Sequence, residues 1–358
     1  YRQRGSGMSF IAKPKVRHPS LPRNDLGLTV RDYEGGMSTL CAGCGHDSIT
    51  GAIVQAVFEL GIPPHRLAKF SGIGCSSKTP AYFVGSAHGF NSVHGRMPSV
   101  ATGANAANRD LYYIGVSGDG DTLSIGMGQF SHALRRNLNM LYLIENNGVY
   151  GLTKGQFSAS ADIGSTAKKG EANNQTPIDP CVLALSLGGT FVARSFSGDK
   201  DQLVPLLKAG LKHNGFGMID IVSPCVTFND HEGSTKSYKH TREHYHPAIH
   251  TDYVEPSAEI RAQYDEGEAM PVALHDGGQI VLRKLDKDYD PTNRASAFQY
   301  LQDARESGEI VTGLLYIDED PDDMHAANQV SDTPMVDLPF DTVCPGSETL
   351  QSIQNRFR

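Results

Sequence analysis

Two groups of residues in this chain have the types and spacing to do chemistry. The first is Gly118-Asp119-Gly120-Asp121, with 25 residues lying between the Gly-Asp-Gly and Asn146-Asn147-Gly148-Val149. Asp119 offers a carboxylate, Asn147 an amide oxygen and Val149 a backbone carbonyl. Mg²⁺ takes hard oxygen donors of this kind and usually shares them with phosphate. Glycines on either side of an aspartate leave backbone N–H groups open to the close approach of a diphosphate. Two other readings compete. One is an ordinary strand-to-helix turn, with Asp and Asn present for turn chemistry. The other is a nucleotide-binding turn, but that wants a third glycine where Leu123 stands.

The second group is cysteine. Cys41-Ala-Gly-Cys44-Gly-His46 is a C-x-x-C in a glycine-rich loop, Cys75 follows Ser-Gly-Ile-Gly, and Cys225 follows Ser-Pro. All three contexts are turn-rich, so each thiolate can project from a loop. Four such cysteines suffice for a [4Fe–4S] cluster or a Cys₄ zinc site. A zinc ribbon more often shows two C-x-x-C knuckles, and here there is one pair and two distant singles. A buried pair of thiols and a redox C-x-x-C stay open as further readings. Cys181 opens an apolar run and Cys344 lies in a Pro/Asp-rich tail, and both are read as non-ligands.

Such groups need elements to hold them. The apolar runs Leu111–Val116 and Met140–Ile144 read as strands that end in Gly-Asp-Gly and Asn-Asn-Gly, with a helix between them through His132–Arg136. Polar groups at the carboxyl ends of parallel strands are where open α/β sheets bind ligands. Ile49, Ile53, Val57 and Leu60 recur with helical period just after the cysteine pair. Arg66–Ser71 and Met218–Val222 read as strands leading to Cys75 and Cys225. Ser99–Arg109, Pro180–Leu187 and Lys200–Leu211 read as helices, and 156–180 as a long polar loop. The five histidines between His231 and His250 read as a polar surface segment.

Together these segments resemble the β subunit of the 2-oxoacid:ferredoxin oxidoreductases, and within that family the two-subunit 2-oxoglutarate type. The resemblance lies in Cys41–His46, Gly72–Lys78, His94–Arg96, Gly118–Asp121, Asn146–Gln156 and Ser223–Val226, and Arg305–Ile317 is similar to the family's C-terminal segment. It implies an α/β, thiamine diphosphate-binding fold of the diphosphate-binding type, a parallel sheet flanked by helices. Residues 1–34 would be an N-terminal arm, with Tyr1–Gly7 ahead of Met8 reading as a cloning remnant. Residues 35–230 would form the thiamine diphosphate and [4Fe–4S] domain. Residues 231–358 would be a C-terminal extension that packs on a partner subunit.

The same resemblance implies the site. Asp119, Asn147 and Val149 would hold Mg²⁺, and Cys41, Cys44, Cys75 and Cys225 one [4Fe–4S] cluster. Thiamine diphosphate (ThDP) would meet His46, Arg96, Gly118, Asp119, Gly120, Asp121, Asn147, Gly148 and Val149. Lys78, Lys154 and His94 would face the substrate, since a 2-oxo-dicarboxylate needs a cation for its distal carboxylate. The implied reaction interconverts 2-oxoglutarate, coenzyme A (CoA) and oxidised ferredoxin with succinyl-CoA, CO₂ and reduced ferredoxin, through a ThDP adduct. Pyruvate or another 2-oxoacid is the alternative substrate. A non-oxidative ThDP lyase or synthase, or a zinc-bound interaction protein, would be a different class of function. Only one ThDP-type motif is present. An α subunit is therefore expected to supply the glutamate that meets the cofactor's pyrimidine, in an αβ or α₂β₂ assembly.

Composition bounds the partners. A net charge of −8 and a pI near 5.9 argue against nucleic acid. There is no apolar run of the roughly 18 residues that a membrane span needs. The basic, Pro-rich N-terminus is expected to carry no signal peptide. Cysteines used for a cluster place the protein in a reducing cytoplasm.

Overall fold

The computed structural model describes residues 18–153, 155–165, 172–226, 259–274 and 279–358. Among these, nine strands form one sheet, in the order β2-β1-β3-β4-β8-β7-β11-β10-β9. They are β1 (Leu67–Ser71), β2 (His88–Asn91), β3 (Tyr112–Gly118), β4 (Met140–Asn146), β7 (Phe191–Phe196), β8 (Phe216–Val222), β9 (Ala269–Ala273), β10 (Gln279–Lys284) and β11 (Glu309–Ile317). A separate two-strand ribbon, β5 (Val149–Tyr150) with β6 (Gln156–Phe157), follows the end of β4. The run from β2 to β7 is parallel, and β11 pairs with β7 antiparallel.

Helices cover both faces, which is why the central strands are apolar in both directions. Along β4, Met140, Tyr142 and Ile144 enter one core, while Leu141 and Leu143 enter the other. The first core lies under α2 (Met97–Ala107), α3 (Met127–Arg135), α4 (Pro180–Ser186) and α6 (Arg294–Glu306). The second lies under α1 (Gly45–Glu59) and α5 (Lys200–Lys212), where Ile49, Ile53 and Val57 are buried as their spacing predicts. A single turn of wider helix, Gly120–Ile125, separates β3 from α3.

Two boundaries differ from the sequence reading. Residues 18–34 of the expected arm pack on their own domain. Asn24 donates to Tyr33 Oη and to the Phe58 carbonyl, the Tyr33 and Phe58 rings meet edge to face, and Glu34 bridges to Phe83. Beyond residue 230, β9–β11 complete the main sheet, and β11 with the end of α6 is the Arg305–Ile317 segment. After α7 (Met324–Ala327), the remaining short helices α8 (Phe340–Val343) and α9 (Ser347–Asn355) have no buried residue. No helix among the described residues is long and apolar enough to cross a membrane.

Candidate active site

Sheet order places the chemistry. The strands β1, β3, β4 and β8 are neighbours, all parallel, and their carboxyl ends lead to Cys75, Asp119, Asn147 and Cys225. The chain leaves β1 toward β2 on one side and returns to β3 on the other. That reversal opens a crevice at the strand ends. A cleft of about 430 Å³ lies there, lined by His46, Cys75, Ser76, His94, Gly118–Asp121, Glu145, Asn147 and Val149–Thr153, with Ile73 and Gly74.

Asp119 is buried, 1% exposed. Its carboxylate accepts from the hydroxyls of Ser158 and Ser160 and from the Asn147 N–H at 3.4 Å. All three donors are neutral. The Asn147 side-chain oxygen accepts from Val149 N–H at 3.1 Å, closing the turn, and Gly148 holds it with φ +73°. Asp119, Asn147 and Val149, which carry a carboxylate, an amide oxygen and a backbone carbonyl, all line the cleft. This donor set suits Mg²⁺, and a buried carboxylate with no cationic partner among the described residues is a place for one.

The glycines have a second reason to be there. A methyl group on Gly120 would come 2.5 Å from the Tyr150 ring, and one on Gly118 would come 2.8 Å from Ser76 Oγ. Tyr150 Oη donates to the Gly120 carbonyl at 3.1 Å. The turn is therefore clamped from outside as well as open to a ligand. Asp121 lines the cleft too, but its oxygens accept from His94 Nδ1 at 2.5 Å, Gly95 N–H at 2.9 Å and Ser117 Oγ at 2.8 Å. It anchors the 92–96 loop.

The cysteine loops converge on the same end of the sheet. Cys44 N–H donates to the Cys41 carbonyl at 3.0 Å, and Cys44 precedes α1 directly. Burial pushes the Cys44 thiol well up. The His46 backbone pulls against this, and Cys225, Glu145 and Cys41 push further, so these groups lie within electrostatic reach. Burial also raises Cys75, opposed by Lys78 and reinforced by Cys41 and Glu145. A methyl group on Gly151 would sit 3.4 Å from Cys75 Sγ and 3.9 Å from Cys225 Sγ. Among the described residues no three His, Cys, Asp or Glu side chains are close enough to hold one metal ion. A four-iron cluster spreads its ligands more widely than a single ion does, and the Mg²⁺ donors include an amide and a carbonyl. By contrast, Cys181 is buried in α4 with its thiol 3.7 Å from the Ala193 carbonyl, and Cys344 is exposed between α8 and α9.

The other expected contacts divide. His46 is buried on the cleft, hydrogen-bonded through Nδ1 to Ser223 Oγ at 2.8 Å, and burial lowers its pKa to about 4. It is therefore neutral at physiological pH. His94 lines the cleft, but Arg96 is exposed at the start of α2 and does not. Lys78 does not line the cleft either and lies instead beside Cys75. Lys154 and the histidines from His231 to His250 lie outside the described residues. The sequence reading missed Glu145, Ser158, Ser160 and Tyr150. Of these Glu145 left a signal, a carboxylate continuing an apolar strand that is buried on both faces.

Known proteins share this arrangement. Residues 72–221 match the family described as thiamine pyrophosphate enzyme, C-terminal TPP binding domain. The β subunit of 2-oxoacid:ferredoxin oxidoreductase from Saccharolobus solfataricus is 41% identical over 218 residues, 61% of this chain and 69% of the relative. This chain belongs to that β-subunit family. The 2-oxoglutarate oxidoreductase subunit KorB of Mycobacterium tuberculosis is 42% identical over 60% of this chain and 58% of its own length. The chain thus spans between 58% and 69% of these relatives. A solved structure of 2-oxoglutarate:ferredoxin oxidoreductase from Magnetococcus marinus, with 2-oxoglutarate, CoA and succinyl-CoA bound, superposes with a TM-score of 0.67 at 30% identity. That match covers 84% of this chain and 89% of the other. Within the family, the general ThDP segment includes Cys75 but not the Cys41–Cys44 loop or Cys225.

Proposed function

We propose that this β subunit joins an α subunit to interconvert 2-oxoglutarate, CoA and oxidised ferredoxin with succinyl-CoA, CO₂ and reduced ferredoxin. The observation that carries this is the convergence of the Asp119/Asn147/Val149 turn and three cysteine-bearing loops on the ends of four adjacent strands. When bound, ThDP supplies a nucleophilic carbon and an electron sink for loss of CO₂ from a 2-oxoacid. Asp119, Asn147 and the Val149 carbonyl hold Mg²⁺ and through it the diphosphate. Gly118–Asp121 and the neutral His46 line the same cleft. Cys41, Cys44, Cys75 and Cys225 would hold one [4Fe–4S] cluster, which when bound would supply a one-electron carrier between the substrate site and ferredoxin. The pyrimidine glutamate comes from the α subunit, in an αβ or α₂β₂ assembly to which the segment beyond residue 230 contributes. A chain that reserves thiols for a cluster belongs in the reducing cytoplasm.

Serine substitution, one cysteine at a time, tests the ligand set in anaerobically purified complex. Iron should fall for Cys41, Cys44, Cys75 and Cys225, and stay for Cys181 and Cys344. Wild-type protein with zinc and no iron would favour a zinc-bound interaction protein instead. Substrate choice is tested separately. Lys78→Ala and Lys154→Ala should lose turnover of 2-oxoglutarate by roughly one to two decades if either binds the distal carboxylate, with pyruvate turnover spared. Equal losses on both substrates would remove that role from them.

A further inference from the structure

Glu145 is the next-to-last residue of β4, fully buried on the lining of the cleft, and the function proposed above gives it nothing to do. Two loops reach it directly and a third joins through His46, and each carries a cysteine of the assigned cluster. Thr79, four residues after Cys75, donates its hydroxyl to both carboxyl oxygens, at 3.1 and 3.0 Å. His46, two residues after Cys44, places Nδ1 3.6 Å from Oε2. The same Nδ1 is 2.8 Å from the hydroxyl of Ser223, two residues before Cys225. Glu145 also lies close enough to act electrostatically on the Cys44 and Cys75 thiols. On its other side the chain runs straight into Asn146 and Asn147. Burying a carboxyl group is costly unless its hydrogen bonds repay it, so an apolar residue at this point of β4 would be the simpler choice for stability alone.

We propose that Glu145 is a positioning residue that ties the Cys44, Cys75 and Cys225 loops to the end of β4 and so fixes the iron–sulfur cluster against the diphosphate turn. This rests on the cluster assignment above. Electrons leaving the substrate must cross the gap between the two sites, and Glu145 is where the walls of that gap are joined. Its neighbours are side chains that follow or precede the ligands in sequence, the usual place for groups that orient a ligand without being one.

The test uses complex purified anaerobically with its α partner and three variants, Glu145→Ala, Glu145→Gln and Thr79→Val. Iron and sulfide per chain, the EPR spectrum of the reduced cluster, and ThDP affinity by calorimetry are measured on each. Glu145→Ala should lose about half or more of the iron, alter the EPR signal of what remains, and weaken ThDP roughly tenfold, in keeping with other outer partners of metal ligands. Glu145→Gln keeps an oxygen for Thr79 and should restore both iron and spectrum. Thr79→Val should fall between them. Wild-type iron, spectrum and ThDP affinity in Glu145→Ala would overturn the proposal while leaving the cluster assignment intact. A Gln variant as damaged as the Ala variant would also overturn it, because the group would then be needed as an acid. Should Glu145→Ala fail to fold, an unchanged spectrum and iron content in Thr79→Val would decide against it. Wild-type complex without iron and sulfide would bring down the cluster assignment and this role together.

Discussion

Asp119 and Asp220 are both aspartates, each 1% exposed, near the ends of strands separated only by β4. Their surroundings are opposite. Asp220 is answered from within the protein. Arg194 Nε donates to it at 2.7 Å and Asn146 Nδ2 at 3.0 Å, while Arg194 Nη2 reaches Asp179 at 2.6 Å. Burial still pushes the Asp220 carboxyl up, with Arg194 and Asn146 pulling it back. Among the described residues Asp119 receives serine hydroxyls and one backbone N–H. A buried charge is normally paired or bound to metal. Among the described residues the protein has closed one carboxylate with its own cation and left the other facing a cleft, where a bound metal ion can supply the positive charge. Asn146, between them, holds both halves together, since its oxygen also accepts from Ser160.

Removing the internal cation should give the largest effect. Arg194→Met keeps the apolar stem but leaves Asp179 and Asp220 buried without their guanidinium. A cost of about 3–5 kcal/mol is expected, read as a fall in the denaturant midpoint, and Asp220→Asn in the same chain should recover part of it. An unchanged midpoint would erase the distinction between the two aspartates. At the other site the loss should appear in binding. Asp119→Ala and Asn147→Ala should each weaken ThDP·Mg²⁺ by about a hundredfold or more, near 2.7 kcal/mol, by calorimetry on the assembled complex. Asp119→Asn without cofactor should be no less stable than wild type, because it removes a buried carboxylate that has no cationic partner among the described residues. Unchanged ThDP affinity in both alanine variants would refute the metal site, and a destabilised cofactor-free Asp119→Asn would mean that the hydroxyls alone satisfy the carboxylate.

How much of this could be read from the sequence follows from how local each feature is. The Gly-Asp-Gly and Asn-Asn-Gly turns are set by residues next to one another, and the runs before them, such as Met140–Ile144, alternate between two cores. Both strands and their polar ends were therefore legible. The β2 strand, His-Gly-Phe-Asn, is exposed throughout and has no apolar pattern to announce it. The pairing of β7 with β11 joins segments more than a hundred residues apart, Arg194 with Gly313, so residues past 230 read as an extension when they finish the sheet. Arg96 and Lys78 sit in motifs, yet neither lines the cleft, which spacing alone does not reveal. Glu145 reads as the start of a polar turn, and its partners His46 and Thr79 come from distant loops, His46 itself held by Ser223.

The smallest effect concerns the reverse case, a buried cation without an anion. Lys69 in β1 is 7% exposed, and its ammonium donates to the carbonyls of Phe83 at 2.6 Å and Val84 at 2.9 Å, with Nζ 5.2 Å from the centre of the Phe83 ring. Burial lowers its pKa from 10.5 to about 8. A lysine lowered in the folded state is a cost that is fully present below the folded pKa, where both states are protonated. The cost fades as pH rises from about 8 to 10.5, where the unfolded chain still binds the proton and the folded one has released it. Unfolding free energy measured against pH should therefore rise in wild type relative to Lys69→Met across that window, by roughly 1–2 kcal/mol once solvent at the amine tip is allowed for. Below pH 8 the difference between the two proteins should be flat. A difference that is flat throughout would show that two carbonyls and a ring face replace water fully around an ammonium. Neutral groups would then be enough to hold a buried charge, and the serine hydroxyls around Asp119 could do for a carboxylate what the comparison with Asp220 assigns to a metal. A rise in the stated window keeps that assignment, because it shows that dipoles alone leave a buried charge under-compensated.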